Sequence, residues 1–247
     1  MHILRLGREP YTLVWELQHH LVSARQEQRI DDTLILVEHP PVITLGRSAD
    51  ESHILATPGQ LTQAGIEVHR VERGGGVTYH GPGQLVGYPI MDLQARRLGV
   101  ADYMHMLEEV LIAVLADFGL TATRQGMLIG VWVEGRKIAA LGARIDRGVS
   151  FHGFALNVDP DLSHFVHIMP CGMASSSTTS MARELHKPMP IAPVQVRTIE
   201  QFGRVFGVRL HEIALEQIAP LLSATGQPDA AEHIAYAFAQ SNGEKTD

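Results

Sequence analysis

Apolar positions along the chain repeat with two periods, and the switches between them mark out the elements. From Tyr11, the residues Leu13, Val14, Leu17, Leu21 and Val22 return every three or four positions with Arg and Gln opposite, which predicts a helix with one buried face. Thr33-Leu34-Ile35-Leu36-Val37 is a continuous apolar run of strand length. His39-Pro40-Pro41 must end that strand, because proline has no N–H for a ladder. Val42–Leu45 predicts a second short strand, and Thr57-Pro58 supplies an N-cap and an N1 proline for a short helix ending near Gly65. Residues 66–71 alternate as a strand and run into Arg73-Gly74-Gly75-Gly76; residues 85–90 predict another strand. Leu107, Val110, Leu111, Val114, Leu115 and Phe118 step as one helical face, with Gly119 as its terminator. Residues 130–133 and 136–141 flank Glu134-Gly135 as a hairpin, and 154–158 read as a further strand. Val196, Ile199, Phe202, Val205 and Phe206 predict a late helix, and 234–238 a last one. Clustered strands flanked by a few helices indicate an α+β fold with a mixed β-sheet, not a regular βαβ repeat. No linker divides the chain, so 1–247 is expected as one domain, with about 193–247 as a small helical C-terminal portion.

Composition narrows the class. The chain has 247 residues, 45% of them hydrophobic and 19% charged, which is a globular balance and excludes wholesale disorder. Twenty Lys and Arg against 27 Asp and Glu leave −7, which argues against a nucleic-acid binder. The single cysteine, Cys171, excludes an internal disulfide, a four-cysteine zinc site and a CxxC redox pair, and it fits a reducing compartment. The first ten residues carry Arg5, Arg8 and Glu9 with no apolar run of a signal peptide, and no apolar stretch approaches the ~18 residues of a membrane span. A soluble cytoplasmic protein is expected, without membrane or nucleic-acid partners.

The densest chemical signal is Arg73-Gly74-Gly75-Gly76-Val77-Thr78-Tyr79-His80-Gly81-Pro82-Gly83-Gln84. Five glycines within eleven positions carry an entropic cost that close approach of a ligand to the backbone would justify. It reads as a pocket-lining loop. Neither G-x-x-x-x-G-K-[ST] nor G-x-G-x-x-G occurs, so it is not a P-loop. Fourteen histidines invite a metal, yet no H-E-x-x-H exists and His164-x-x-His167 lacks a carboxylate or cysteine at ligand spacing, so no metal is expected. The absence of G-x-S-x-G argues against a serine hydrolase of the α/β type. Cys171 lies between Pro170 and Gly172, a setting for an accessible thiol, although a free cysteine is as often a small buried hydrophobe. Lys137 precedes Ile138-Ala139-Ala140-Leu141, where it can be a solvated edge residue or an amine desolvated in a pocket. The residues alone leave both pairs of readings open.

Together these segments closely resemble the lipoyl(octanoyl) transferases. The resemblance is carried by residues 73–86, by Lys137-Ile138-Ala139-Ala140-Leu141-Gly142, by His152-Gly153-Phe154-Ala155-Leu156-Asn157, by Pro170-Cys171-Gly172 and by Glu38-His39-Pro40-Pro41-Val42-Ile43-Thr44-Leu45-Gly46-Arg47. It runs in the family's order from about residue 10 to about residue 210. One departure is Ser177-Thr178-Thr179-Ser180, where the family carries Val-Thr-Ser. The resemblance implies the mixed-sheet fold of biotin and lipoate protein ligases and one catalytic domain. It implies transfer of an octanoyl or lipoyl group from acyl carrier protein, through a cysteine thioester, to a lysine of a lipoyl domain. Acceptors would be the lipoyl domains of 2-oxoacid dehydrogenases and the glycine cleavage H protein. The enzyme would need no cofactor and act as a monomer.

By position, Cys171 would be the acyl-accepting thiol and Lys137 its partner. The acyl pocket would fall on Arg73, Gly74, Gly75, Gly76, Val77, Thr78, Tyr79 and His80, on Ala140, Leu141 and Gly142, and on Gly153, Phe154 and Ala155. A thioester passes to another thiol at nearly constant bond energy, so this chemistry runs without ATP. Three rivals remain in view: an ATP-dependent lipoate or biotin ligase on the same fold, which would not need Cys171; a cysteine thioester hydrolase with His80 or His152 as base and Asn157 orienting it; and a non-catalytic acyl-binding module. Acidic carrier domains cannot be drawn in by a chain of −7, so docking is expected on local cations: Arg144 and Arg147, with Arg70 and Arg73.

Overall fold

The structure, a computed structural model, describes residues 1–126, 128–169, 177–222, 234 and 236–241. Its first half comprises β1 (His2–Arg8), α1 (Tyr11–Gln26), β2 (Thr33–Glu38), β3 (Val42–Leu45), α2 (Pro58–Gln63), β4 (Glu67–Arg70), β5 (Val77–His80), β6 (Gln84–Ile90) and α3 (Val100–Asp117). The second half adds β7 (Thr123–Gln125), β8 (Leu128–Val133), β9 (Arg136–Asp146), β10 (Val149–Asn157), α4 (Met181–Leu185), α5 (Ile191–Phe206), β11 (His211–Glu212) and α6 (Leu215–Ile218).

Eight strands form one mixed sheet in the order β11-β1-β2-β6-β10-β9-β8-β7, and three form a small sheet, β4-β3-β5. In the large sheet β1 runs parallel to β2 and β11, and the other pairs are antiparallel. The run at 33–37 is apolar throughout because β2 is covered on both faces. Leu34 and Leu36 enter the core under α3 and α5, while Ile35 and Val37 enter the core under α1. After about 193 the chain divides between those faces. Val194, Phe202 and Phe206 join the first core, and Ile218, Leu222, Ile234 and Phe238 the second.

Local chemistry sets the ends of these elements. Thr57 Oγ1 accepts from the Gln60 N–H at 3.3 Å and caps α2, and Gly119 follows α3 at φ +82°. Glu134 and Gly135 turn the β8–β9 hairpin with φ of +48° and +76°, the left-handed pair that matches strand twist. Buried Asp32 accepts from Arg25 Nε at 2.8 Å and Arg96 Nε at 2.7 Å, which ties α1 to the loop after β6. Two expectations are corrected in detail. The glycine-rich segment is not loop throughout, since 77–80 form β5 against β3, and β9 runs on to Asp146.

Candidate active site

A cavity of about 410 Å3 lies where the glycine-rich segment of the small sheet faces β9, β10 and β6 of the large one. Its wall includes Arg73, Gly74, Gly75, Gly76, Val77, Thr78, His80, Lys137, Ala140, Leu141, Gly142, Gly153, Phe154 and Ala155. Tyr79 is the exception among the expected pocket residues. Successive side chains on β5 alternate, so its ring turns into the core beneath the small sheet, against Phe165, and its hydroxyl meets His164 Nδ1 at 2.6 Å. Pro170, Cys171 and Gly172 lie outside the described residues.

The backbone brings the two walls into contact. Gly74 N–H donates to the Ala143 carbonyl at 3.0 Å, and the Gly74 carbonyl lies where a Cβ on Gly142 would be 2.7 Å away. Only glycine at 142 admits that approach. Arg73 is buried, with Nε donating to Thr44 Oγ1 at 3.1 Å and one terminal nitrogen to the Thr44 carbonyl at 2.7 Å. It is thereby fixed in the wall and removed from the surface cations expected for docking.

Lys137, the second residue of β9, lies at one end of the cavity. Its Nζ donates to the Ile129 carbonyl at 3.3 Å and lies 5.3 Å from the centre of the Trp132 ring. A Cβ on Gly130 would sit 2.8 Å from Lys137 Cε, so the glycine leaves the lysine stem its path. The Lys137 carbonyl accepts from Thr179 N–H at 2.9 Å, and Thr178 pairs with Lys137 as an isolated bridge. The chain leaving the undescribed residues 170–176 is therefore held beside the lysine within three residues. Val100, Leu128 and Ile129 are exposed apolar residues at the rim.

The opposite end is built from aromatic rings and histidines. Tyr11, Tyr88 and His152 line it. His39 behind them donates through Nδ1 to the Glu9 carbonyl at 2.8 Å and accepts from the Tyr88 hydroxyl at 2.9 Å. Burial drives its pKa down to about 4 against the Glu9 bond, so it is neutral at physiological pH. His152 holds φ +53°, uncommon for a residue with a side chain, and burial lowers its pKa although Glu72 lies 3.6 Å from Nε2. Burial raises Glu72 itself, but the nearby His152 imidazole and a hydrogen bond from Trp15 Nε1 outweigh it and hold its carboxyl at about 2. Sequence reading had no signal for Tyr11 or Tyr88, which read as helix and strand core. Gln84 stood inside a quoted segment without an assigned role, and Asn157 had one only in the hydrolase rival, orienting the base. Among the described residues no group of three His, Cys, Asp or Glu could hold a metal ion.

The family described as lipoyl protein ligase A/B catalytic domain matches residues 10–203. An octanoyltransferase of Gloeobacter violaceus is 48% identical over 215 residues, covering 87% of this chain and 94% of its own length. One of Alkaliphilus metalliredigens is 45% identical over 213 residues, covering 86% and 98%. Among solved structures, a lipoate-protein ligase A bound with ATP superimposes with a TM-score of 0.73 at 16% identity, covering 97% of this chain and 94% of that one. The bipartite lipoate protein ligase of Thermoplasma acidophilum gives 0.70 at 17%, covering 97% and 92%, and extends the likeness of fold. With a family match over most of the chain and relatives near half identity at nearly full length, this chain belongs to the lipoyl protein ligase A/B catalytic-domain family.

Proposed function

We propose that this chain is an octanoyltransferase of protein lipoylation. The observation that carries the reading is the near-full-length identity of 45–48% to octanoyltransferases. The cavity fits it, with apolar Val77, Leu141, Phe154 and Ala155 beside Lys137. Octanoyl-acyl carrier protein is the donor, a lysine of a lipoyl domain is the acceptor, and the setting is the cytoplasm.

Cys171 attacks the donor thioester carbonyl as a thiolate. The new C–S bond to Cys171 replaces the one to the donor thiol, which leaves with a proton. The acceptor amine then attacks the Cys171 thioester, an amide C–N bond forms, and the cysteine sulfur departs. A free thiol near pKa ~8.5 is mostly protonated at neutral pH, so Lys137 either takes its proton or stabilises the thiolate as an ammonium. Each buried CH2 of the acyl chain contributes roughly 0.8 kcal/mol, which makes the cavity's length the selector of the chain.

Intact mass after incubation with octanoyl-acyl carrier protein and no ATP tests the reading. One octanoyl increment located on Cys171, lost on addition of a lipoyl domain, is the expected result. An ATP requirement, or release of free octanoate without acceptor, overturns it.

A further inference from the structure

From Thr179, held against the Lys137 carbonyl, a chain of side chains crosses three strands to His80, whose ring stacks on Tyr11 at 5.9 Å. The direction of the chain can be read from one end to the other. The Thr179 carbonyl can only accept, so its 2.9 Å contact with Asn157 is a bond from Nδ2–H. That turns Asn157 Oδ1 toward Gln84, whose Nε2 donates to it at 2.9 Å and to the Tyr79 carbonyl at 3.0 Å. Gln84 Oε1 is then the atom facing His80 Nδ1, at 3.2 Å, and it too can only accept. Nδ1 therefore carries the imidazole proton. Reversing the chain would set Asn157 Oδ1 against the Thr179 carbonyl and Gln84 Oε1 against the Tyr79 carbonyl. Two main-chain acceptors thus fix one polarity.

We infer that His80 is a second proton acceptor in the transfer reaction, fixed as the Nδ1–H tautomer by Gln84, Asn157 and Thr179 so that Nε2 offers its lone pair to the cavity. His80 lines that cavity, and its Nε2 has no hydrogen-bond partner among the described residues. Burial first, then His39 and Arg73, hold the ring well below the usual histidine range, so the lone pair is free at neutral pH.

The inference rests on the acyl-transfer reading, and proton balance says where the group is used. In acylation Cys171 loses one proton and the departing thiol gains one, so a single shuttle suffices. In aminolysis the acceptor arrives as an ammonium with three N–H bonds and ends as an amide with one. Two protons leave nitrogen as the C–N bond forms and the C–S bond breaks. The cysteine sulfur, by way of Lys137, takes one; His80 Nε2 takes the other and passes it to solvent.

The two half-reactions, measured separately, test this. Octanoyl-enzyme made from a small octanoyl thioester is isolated and mixed with a lipoyl domain. His80→Gln is expected to slow that second step on the order of 100-fold more than it slows acylation, the scale of general base catalysis. A structural role would depress both steps and the thermal midpoint together, and that result, or no loss at all, overturns the inference. A long-range 1H–15N spectrum of the unsubstituted protein needs no variant to fold: Nδ1 protonated and Nε2 bare is expected, and the reverse tautomer overturns the inference. Should the unsubstituted protein form no octanoyl-enzyme, the acyl-transfer reading fails, while the spectrum still judges the hydrogen-bond chain.

Discussion

Hydrogen bonds to the main chain decide what single residues can do in this site. Lys137 is held by its own backbone to Thr179 and by its Nζ to the Ile129 carbonyl. If it serves as a base, a group that never loses its proton cannot replace it. Lys137→Arg is then expected to lose about as much transfer as Lys137→Ala, on the order of 100-fold or more, in steady-state assays with a lipoyl domain. Recovery by arginine would make the lysine an electrostatic partner only. Cys171→Ser is expected to abolish octanoyl-enzyme formation with no change in thermal midpoint, since an alcohol of high pKa does not supply the anion. His39 is neutral when folded and ordinary when unfolded, so the unfolded chain binds more protons between pH 6.5 and 4. Stability is expected to fall across that window on acidification, by about 3 kcal/mol from this residue, and to level off below it. Urea midpoints against pH check this; in His39→Gln the slope over the same window should flatten.

Among the strands of the large sheet, interior ones were legible in the sequence and marginal ones were not. The run at 33–37 and the stepping face of α3 carry their period because burial demands apolar side chains there. β1, β7 and β11 lie toward the sheet's margins with exposed polar residues, and β5 is hidden between glycines, so neither period shows. The site divides the same way. Residues 73–80 and 137–142 were legible as contiguous motifs, but the meeting of Tyr11, Tyr88 and Asn157 depends on strand order, which no local spacing encodes. The contact between glycine segment and β9 gives a test at this scale. Gly142→Ala would drive a Cβ against the Gly74 carbonyl, and a loss of ~1–3 kcal/mol is expected, the cost of overfilling a packed site. A raised KM for a small octanoyl thioester should accompany the lowered thermal midpoint. An unchanged midpoint would show that the segment moves away freely.

For the whole molecule, net charge and surface geometry govern how acidic carrier domains approach. Arg73 is spent inside the wall, and Arg70 faces Glu51 at 3.4 Å. Arg144, on β9 opposite Phe151, and exposed Arg147, at the β9–β10 turn and itself 3.5 Å from Asp146, are the docking cations we propose. Arg144→Glu with Arg147→Glu is expected to raise KM for octanoyl-acyl carrier protein on the order of tenfold, with a small octanoyl thioester almost unaffected. Added salt should weaken the unsubstituted protein toward the same value. Equal loss toward both donors would place these arginines in the fold instead. No helix among the described residues is long and apolar enough to cross a membrane.

The pairing of β1 with β11 also has a consequence in time. His2 is made long before His211, its outer neighbour in the sheet. At roughly 5–20 residues per second, a ribosome needs on the order of 10 to 40 s to supply that neighbour. Throughout that interval β1 presents an open row of main-chain groups, guarded by Arg5 and Arg8, the first of which later meets Glu212 at 3.2 Å. Nascent chains stalled before 211 should therefore aggregate through this margin, and completed ones should not.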